Sequence, residues 1–162
     1  MGFTDKVKGE VVFKEVFKDS REALMVSALH EMVHWVSDPA GQGKQVTAMG
    51  FLERGLLEGL TQVVTEDLLQ DQGIAPYSKP IYAERASIVR KLIDRIGIRP
   101  FGEALFGGRV QRLQPLLDTY GYPALQKIRM FATMNNSQAA ITCIENLNRA
   151  QDSKQKKAVG AR

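Results

Sequence analysis

Ala28-Leu29-His30-Glu31-Met32-Val33-His34-Trp35 is the stretch on which the reading of this chain turns. It carries the pattern H-E-x-x-H and uses both histidines of the 162-residue sequence. On a helix each residue advances about 100°, so His30 and His34 stand one turn apart on nearly the same face. Two imidazoles placed this way can grip one metal ion, with Glu31 beside whatever further ligand the ion carries.

The flanking residues supply the helix. Asp19-Ser20-Arg21-Glu22 reads as a start: Asp19 or Ser20 can cap the first amides, and Glu22 stands three after Asp19 as in a capping box. From Ala23 to Val36 the run is apolar except for Ser27, His30, Glu31 and His34. A helix apolar almost all round is expected to be buried, and ionisable groups there need a partner or a metal. Ser37-Asp38-Pro39-Ala40-Gly41-Gln42-Gly43 ends it.

Working outward, residues 10–14 read as a short strand that needs a second strand or another chain to pair with it. A second helix is expected from Val46 or Phe51 to Gln70, with Leu56, Leu57, Leu60, Val63, Val64 and Leu68 as its apolar face. Glu58, Thr61, Gln62 and Thr65 form a polar stripe beside that face. Gly55 and Gly59 each cost about 1 kcal/mol against Ala in a helix interior, a cost that close backbone approach would offset. A third helix is expected over 80–96, closed by Gly97 and Pro100. Shorter helices follow at 101–106, 108–119, 122–134 and 136–150, punctuated by Gly107-Gly108, Pro115 and Gly121-Tyr122-Pro123. The expected fold is mainly α, with the short N-terminal strand admitting an α+β description. The metal site is expected between two helices of a compact domain.

Composition sets the frame. Hydrophobic residues make up 44% and charged residues 25% of the sequence, ordinary for a folded domain. The expected organisation is one domain over 1–148 and a basic, disordered tail over 149–162. That tail holds five basic residues (Arg149, Lys154, Lys156, Lys157, Arg162) and one acidic one, Asp152. Removing them from totals of 22 and 18 leaves 17 basic and 17 acidic residues, so the +4 charge belongs to the tail. A nucleic-acid reader displays its basic face on the domain itself, which argues against that function. No apolar run approaches the roughly 18 residues of a membrane span. The N-terminal residues lack a signal peptide's apolar stretch, so the expected location is cytoplasmic, or outside the cell by a signal-independent route. The lone Cys143 cannot form an internal disulfide.

A catalytic zinc site has three protein ligands and a water. The third ligand is expected from a segment packed on the first helix. Glu58, in Leu57-Glu58-Gly59-Leu60-Thr61, is favoured because Gly59 leaves room for close packing and Thr61 and Gln62 are uncharged. Glu53, beside Arg54, is its rival.

H-E-x-x-H followed by a glutamate in the E-G-L-T setting of residues 58–61 resembles the gluzincin metallopeptidases. Residues 82–92 (Tyr82-Ala83-Glu84-Arg85-Ala86-Ser87-Ile88-Val89-Arg90-Lys91-Leu92), Ile96-Gly97 and Ala104-Leu105-Phe106-Gly107-Gly108 are similar to small bacterial gluzincin-like domains, including toxins and effectors. The resemblance covers roughly residues 9–118. It implies a zinc ion on His30, His34 and Glu58, with Glu31 as general base for hydrolysis of a peptide or protein substrate. An oxyanion partner would come from Tyr82, Tyr77 or Arg85. Where thermolysin-like relatives place an aspartate four residues after the glutamate ligand, this chain has Gln62, whose amide oxygen can also orient an imidazole. Peptide deformylases need an upstream cysteine ligand and metzincins a third histidine; neither is present. The competing expectation is a catalytically inactive zincin-like module that binds a protein partner.

Overall fold

A computed structural model describes residues 2–5, 10–13, 21–37, 54–74 and 80–160. Among them are two strands, β1 (Gly2–Asp5) and β2 (Glu10–Phe13), and seven helices. The helices are α1 (Arg21–Ser37), α2 (Arg54–Asp71), α3 (Pro80–Ile96), α4 (Ile98–Gly107), α5 (Val110–Asp118), α6 (Tyr122–Thr133) and α7 (Ser137–Gly160). The mainly α expectation is met. The expected strand finds the partner it needs: β1 and β2 pair antiparallel, with Gly2 opposite Phe13 and Asp5 opposite Glu10. The hairpin packs on α1. The capping residues Asp19 and Ser20, the turn at 38–43, the first residues of the expected second helix, Glu53 and Tyr77 lie outside the described residues.

The core sits between α2, α3 and the helices after them. Leu56, Leu60 and Val63 of α2 meet Ile88, Val89 and Leu92 of α3, and the cluster extends through Phe101, Leu105, Leu113, Leu117, Ile128 and Ile144. Val33 joins it from α1. The expected apolar face of α2 holds except at its end, where Leu69 is buried and Leu68 is exposed. α3 packs on α2, α4 and α7, and α2 also touches α1 and α6.

Both glycines inside α2 have their explanation here. A Cβ on Gly59 would stand 2.6 Å from the Arg85 carbonyl oxygen of α3. One on Gly55 would stand 2.8 Å from the Ala132 carbonyl of α6. Glycine lets backbone meet backbone on these two sides, which offsets its poor helix propensity. The approach at Gly59 is to α3, not to the histidine helix as the sequence reading had supposed.

Four other expectations are corrected. α1 is buried along only one side, through Ala23, Val26, His30, Val33 and Ser37, while Met32, Trp35 and Val36 are exposed. Its uninterrupted apolar run therefore does not make it a wholly buried helix. Pro100 does not end the third helix. Gly97, at φ 91°, breaks the chain, and Pro100 falls in the first turn of α4, where a missing N–H removes no helical bond. Pro115 does not punctuate a helix either but lies inside α5. The tail expected to be disordered from residue 149 continues α7 as helix to Gly160. Propagation from a packed segment, anchored by Ala140 and Ile144, needs no new nucleus, and Lys, Gln and Ala are good helix formers. Arg95 Nη2 to Asp152 Oδ1 at 2.9 Å and Gln151 Nε2 to the Thr119 carbonyl at 2.8 Å tie it down.

Among the described residues no helix is long and apolar enough to cross a membrane.

Candidate metal centre

α1 and α2 build the site between them. The helical spacing of α1 puts His30 and His34 on one side, their rings 4.9 Å apart and edge to face. α2 presents Glu58, and one carboxylate oxygen faces both rings: Oε2 lies 3.2 Å from His30 Nε2 and 3.4 Å from His34 Nε2. One donor atom from each of the three residues lies within 4.8 Å of the others, so the group can hold a metal ion. A tetrahedral ion with nitrogen and oxygen ligands at about 2.0–2.1 Å sets those ligands about 3.3 Å apart, matching both observed separations.

The outward-facing nitrogens are also occupied. His30 Nδ1 lies 3.1 Å from Gln62 Oε1, and His34 Nδ1 lies 3.5 Å from Thr61 Oγ1. Glu58, Thr61 and Gln62, at positions i, i+3 and i+4, lie along one side of α2. The polar stripe read from the sequence is thus a carboxylate followed one turn on by two groups that orient the imidazoles. Thr61, Gln62 and Thr65 are fully buried, and the Thr65 hydroxyl donates back to the Thr61 carbonyl at 2.8 Å.

His30 gives the sharpest chemical statement. A neutral imidazole has one N–H and one lone pair. Here Nδ1 faces an amide oxygen and Nε2 faces a carboxylate oxygen, and both oxygens are acceptors. The ring is 4% exposed, so water does not relieve the conflict. Only a cation on the Nε2 side, a proton or a metal ion, makes both contacts favourable. Burial pushes the Glu58 carboxyl up, but hydrogen bonds and positive charge from His30 and His34 outweigh it and hold the group well below the usual carboxylate range. Glu58 is therefore an anion in this setting, as a ligand must be.

The remaining candidates separate. Glu31 follows His30 on α1 and is half-buried. Tyr82 of α3 lays its ring against His30, centroids 4.8 Å apart and planes 34° from parallel, which puts it at the site. Arg85 turns away: its Nε donates to Asn135 Oδ1 at 2.9 Å, at the end of α6. Of the two glutamates weighed as third ligand, Glu58 meets the histidines, and Glu53 lies outside the described residues.

Sequence reasoning missed Thr61 as a partner of His34 and missed Glu66 and Arg90 altogether. Gln62 Nε2 donates to Glu66 Oε1 at 3.1 Å, and Arg90 Nη2 of α3 donates to Glu66 Oε2 at 3.1 Å. Glu66 continues the stripe one turn beyond Gln62 and was legible by spacing. Arg90 reaches it from another helix, where no local pattern points. No family model, curated protein or solved structure matches the chain, so the gluzincin resemblance rests on the residues quoted for it.

Proposed function

We propose that the chain is a zinc-dependent endopeptidase, with His30, His34 and Glu58 holding the ion and Glu31 acting as general base. The observation that carries this reading is the meeting of both histidine Nε2 atoms on a single Glu58 oxygen, at 3.2 and 3.4 Å. Two imidazoles and one carboxylate are the donor set of gluzincin-type catalytic zinc, which keeps a fourth position for water. Bound zinc lowers the pKa of that water towards about 7 and polarises a substrate carbonyl.

The protein's own groups do the rest. Glu31, next to His30 and half-buried, accepts the proton of the attacking water and delivers it to the leaving amine. Thr61 and Gln62 hold the imidazole rings in place. Tyr82, its ring against His30, is assigned the hydrogen bond to the oxyanion, and Arg85 donates to Asn135. The substrate is a peptide segment, and the setting suggested by the resemblance is an effector or toxin acting on one protein.

A second reading, a metal-stabilised module that binds a protein without cutting it, is favoured by the exposed Met32, Trp35 and Val36 on the histidine helix. Glu31 decides between them, since a structural metal site needs no base. Glu31→Gln is expected to retain one zinc per chain and to lose at least about a hundredfold in peptide hydrolysis. Equal hydrolysis by wild type and variant, or wild type that binds zinc without hydrolysing any peptide of a diverse library, would sink the enzyme reading.

A further inference from the structure

Behind His30 a chain of side chains leads out to the surface of α3. Gln62 Oε1 faces His30 Nδ1 at 3.1 Å, and the Gln62 amide nitrogen donates to Glu66 Oε1 at 3.1 Å. The second Glu66 oxygen accepts from Arg90 Nη2 at 3.1 Å, and Arg90 also donates to Asp67 Oδ1 at 2.9 Å. Gln62 is buried, the Glu66 side chain is 14% exposed, and the Arg90 side chain is 44% exposed.

Every link in this chain has a direction. A carboxylate only accepts, so the amide nitrogen of Gln62 must face Glu66 and its oxygen must face His30. An amide oxygen also only accepts, so the 3.1 Å contact with Gln62 requires a proton on His30 Nδ1. That leaves the Nε2 lone pair on the side of Glu58, where an ion would bind. Reversing the amide would put an NH2 group against Nδ1, move the ring proton to Nε2 and block coordination. Arg90 donates to Glu66 in its half-buried place, and Asp67 holds Arg90 over it.

We propose that Arg90, Glu66 and Gln62 form a positioning chain whose task is to hold His30 in the Nδ1–H tautomer, ready for a metal ion. The inference rests on the metal-centre reading but concerns different residues. Glu66 and Arg90 touch neither the ion's ligands nor Glu31 in any contact described above. They act through Gln62.

The test compares full-length wild type with Glu66→Gln and with the double variant Gln62→Glu/Glu66→Gln. A glutamine at 66 can donate as well as accept, so it no longer dictates which way the Gln62 amide points. The double variant restores direction, because a carboxylate at 62 accepts from His30 on one oxygen and from the amide at 66 on the other. Zinc affinity is read by competition with a chromophoric chelator. The expected result is a loss of about 10–100-fold in Glu66→Gln, with the double variant returning to within about threefold of wild type. Nitrogen-15 NMR of the metal-stripped chains reads directly whether His30 Nδ1 carries a proton. Wild type and the double variant should show His30 protonated on Nδ1, and Glu66→Gln a mixture. Unchanged affinity and an unchanged tautomer in Glu66→Gln would overturn the proposal, and so would loss without recovery in the double variant. If wild type bound no zinc, the metal-centre reading would fail, while the tautomer measurement would still decide the positioning role.

Discussion

Gly59→Ala is the substitution that most directly examines how α2 is held. At an ordinary exposed helix position this change stabilises by about 1 kcal/mol, because alanine restricts the unfolded chain and favours helix. At position 59 the new methyl would stand 2.6 Å from the Arg85 carbonyl oxygen, 2.8 Å from its carbon and 3.0 Å from Val89 Cγ2. The first two are backbone atoms, so no rotamer change relieves them. Reaching ordinary contact at 3.4 Å requires α2 and α3 to part by about 0.8 Å. The residues that would lose packing, Leu60, Val63, Ile88 and Val89, are all essentially inaccessible to solvent. Overpacking of this kind costs about 3 kcal/mol at the upper end of its usual range, which leaves a net loss of about 2 kcal/mol after the propensity gain. For a chain of this length that lowers Tm by about 4–8 °C. A shift of about 0.8 Å also exceeds the roughly 0.5 Å within which a site must be held, so zinc affinity should fall with stability. The internal control is Gly102→Ala in α4, where nothing lies within 4 Å of the added carbon. It should raise Tm by about 2–4 °C. Thermal melts of both variants check this, and a Gly59→Ala protein as stable as wild type would refute the close α2–α3 approach that positions Glu58.

Three further outcomes are expected. Zinc at a hundredfold excess over its dissociation constant should stabilise the folded chain by about 2.7 kcal/mol, or about 5–10 °C in Tm, and Glu58→Ala should erase the shift in a thermal scan. For acid unfolding of the metal-free chain, the Glu58 carboxyl is held below its unfolded value near 4.3, so its contribution is complete above that pH and is lost as pH falls through the folded value. Wild type should therefore exceed Glu58→Gln in urea-measured stability at pH 6, with the gap shrinking progressively as pH falls below about 4, and a gap that widened in acid would contradict this sign. Asn135 sits at φ 55° and accepts the Arg85 hydrogen bond, so Asn135→Ala should cost about 2 kcal/mol in urea melts, while Asn135→Gly relieves the backbone part alone.

Helix periodicity carried much of the fold, because the apolar residues that mark each helix in sequence are the ones that meet in the core. Leu56, Leu60, Val63, Ile88, Val89 and Leu92 are examples. Where a local rule misled, a non-local term had replaced it. The run from Ala23 to Val36 is more apolar than its burial requires, and only the packing of α2 on one side of α1 settles which side is covered. The lysine-rich end of α7 has the composition of a tail but is anchored by Asp152 and Gln151 to α3 and to the end of α5. At the site, His30 and His34 were legible because their spacing is local, and Glu58 because its uncharged neighbours and Gly59 set it apart from other glutamates. Arg90 was not, since a guanidinium on a solvated face looks the same in sequence whether or not a carboxylate from another helix comes under it.

The organising element therefore moves from α1 to α2. With about 100° per residue, Gly55 and Gly59 mark one side of α2, and Glu58, Thr61 and Thr65 another about a quarter turn away, with Gln62 between them. The glycine side lets α3 and α6 come within backbone contact, and the polar side is buried against the histidines of α1. A fold concerned with stability alone would place leucines on that second side, since buried charged groups can usually be replaced by apolar ones without loss. The sequence instead keeps a carboxylate, a hydroxyl and an amide there, and opposite them the chain's two histidines, each with both ring nitrogens facing an oxygen. Such an interface contributes less to folding than it costs unless a cation joins it, and that imbalance is the physical ground for reading the α1–α2 contact as a site.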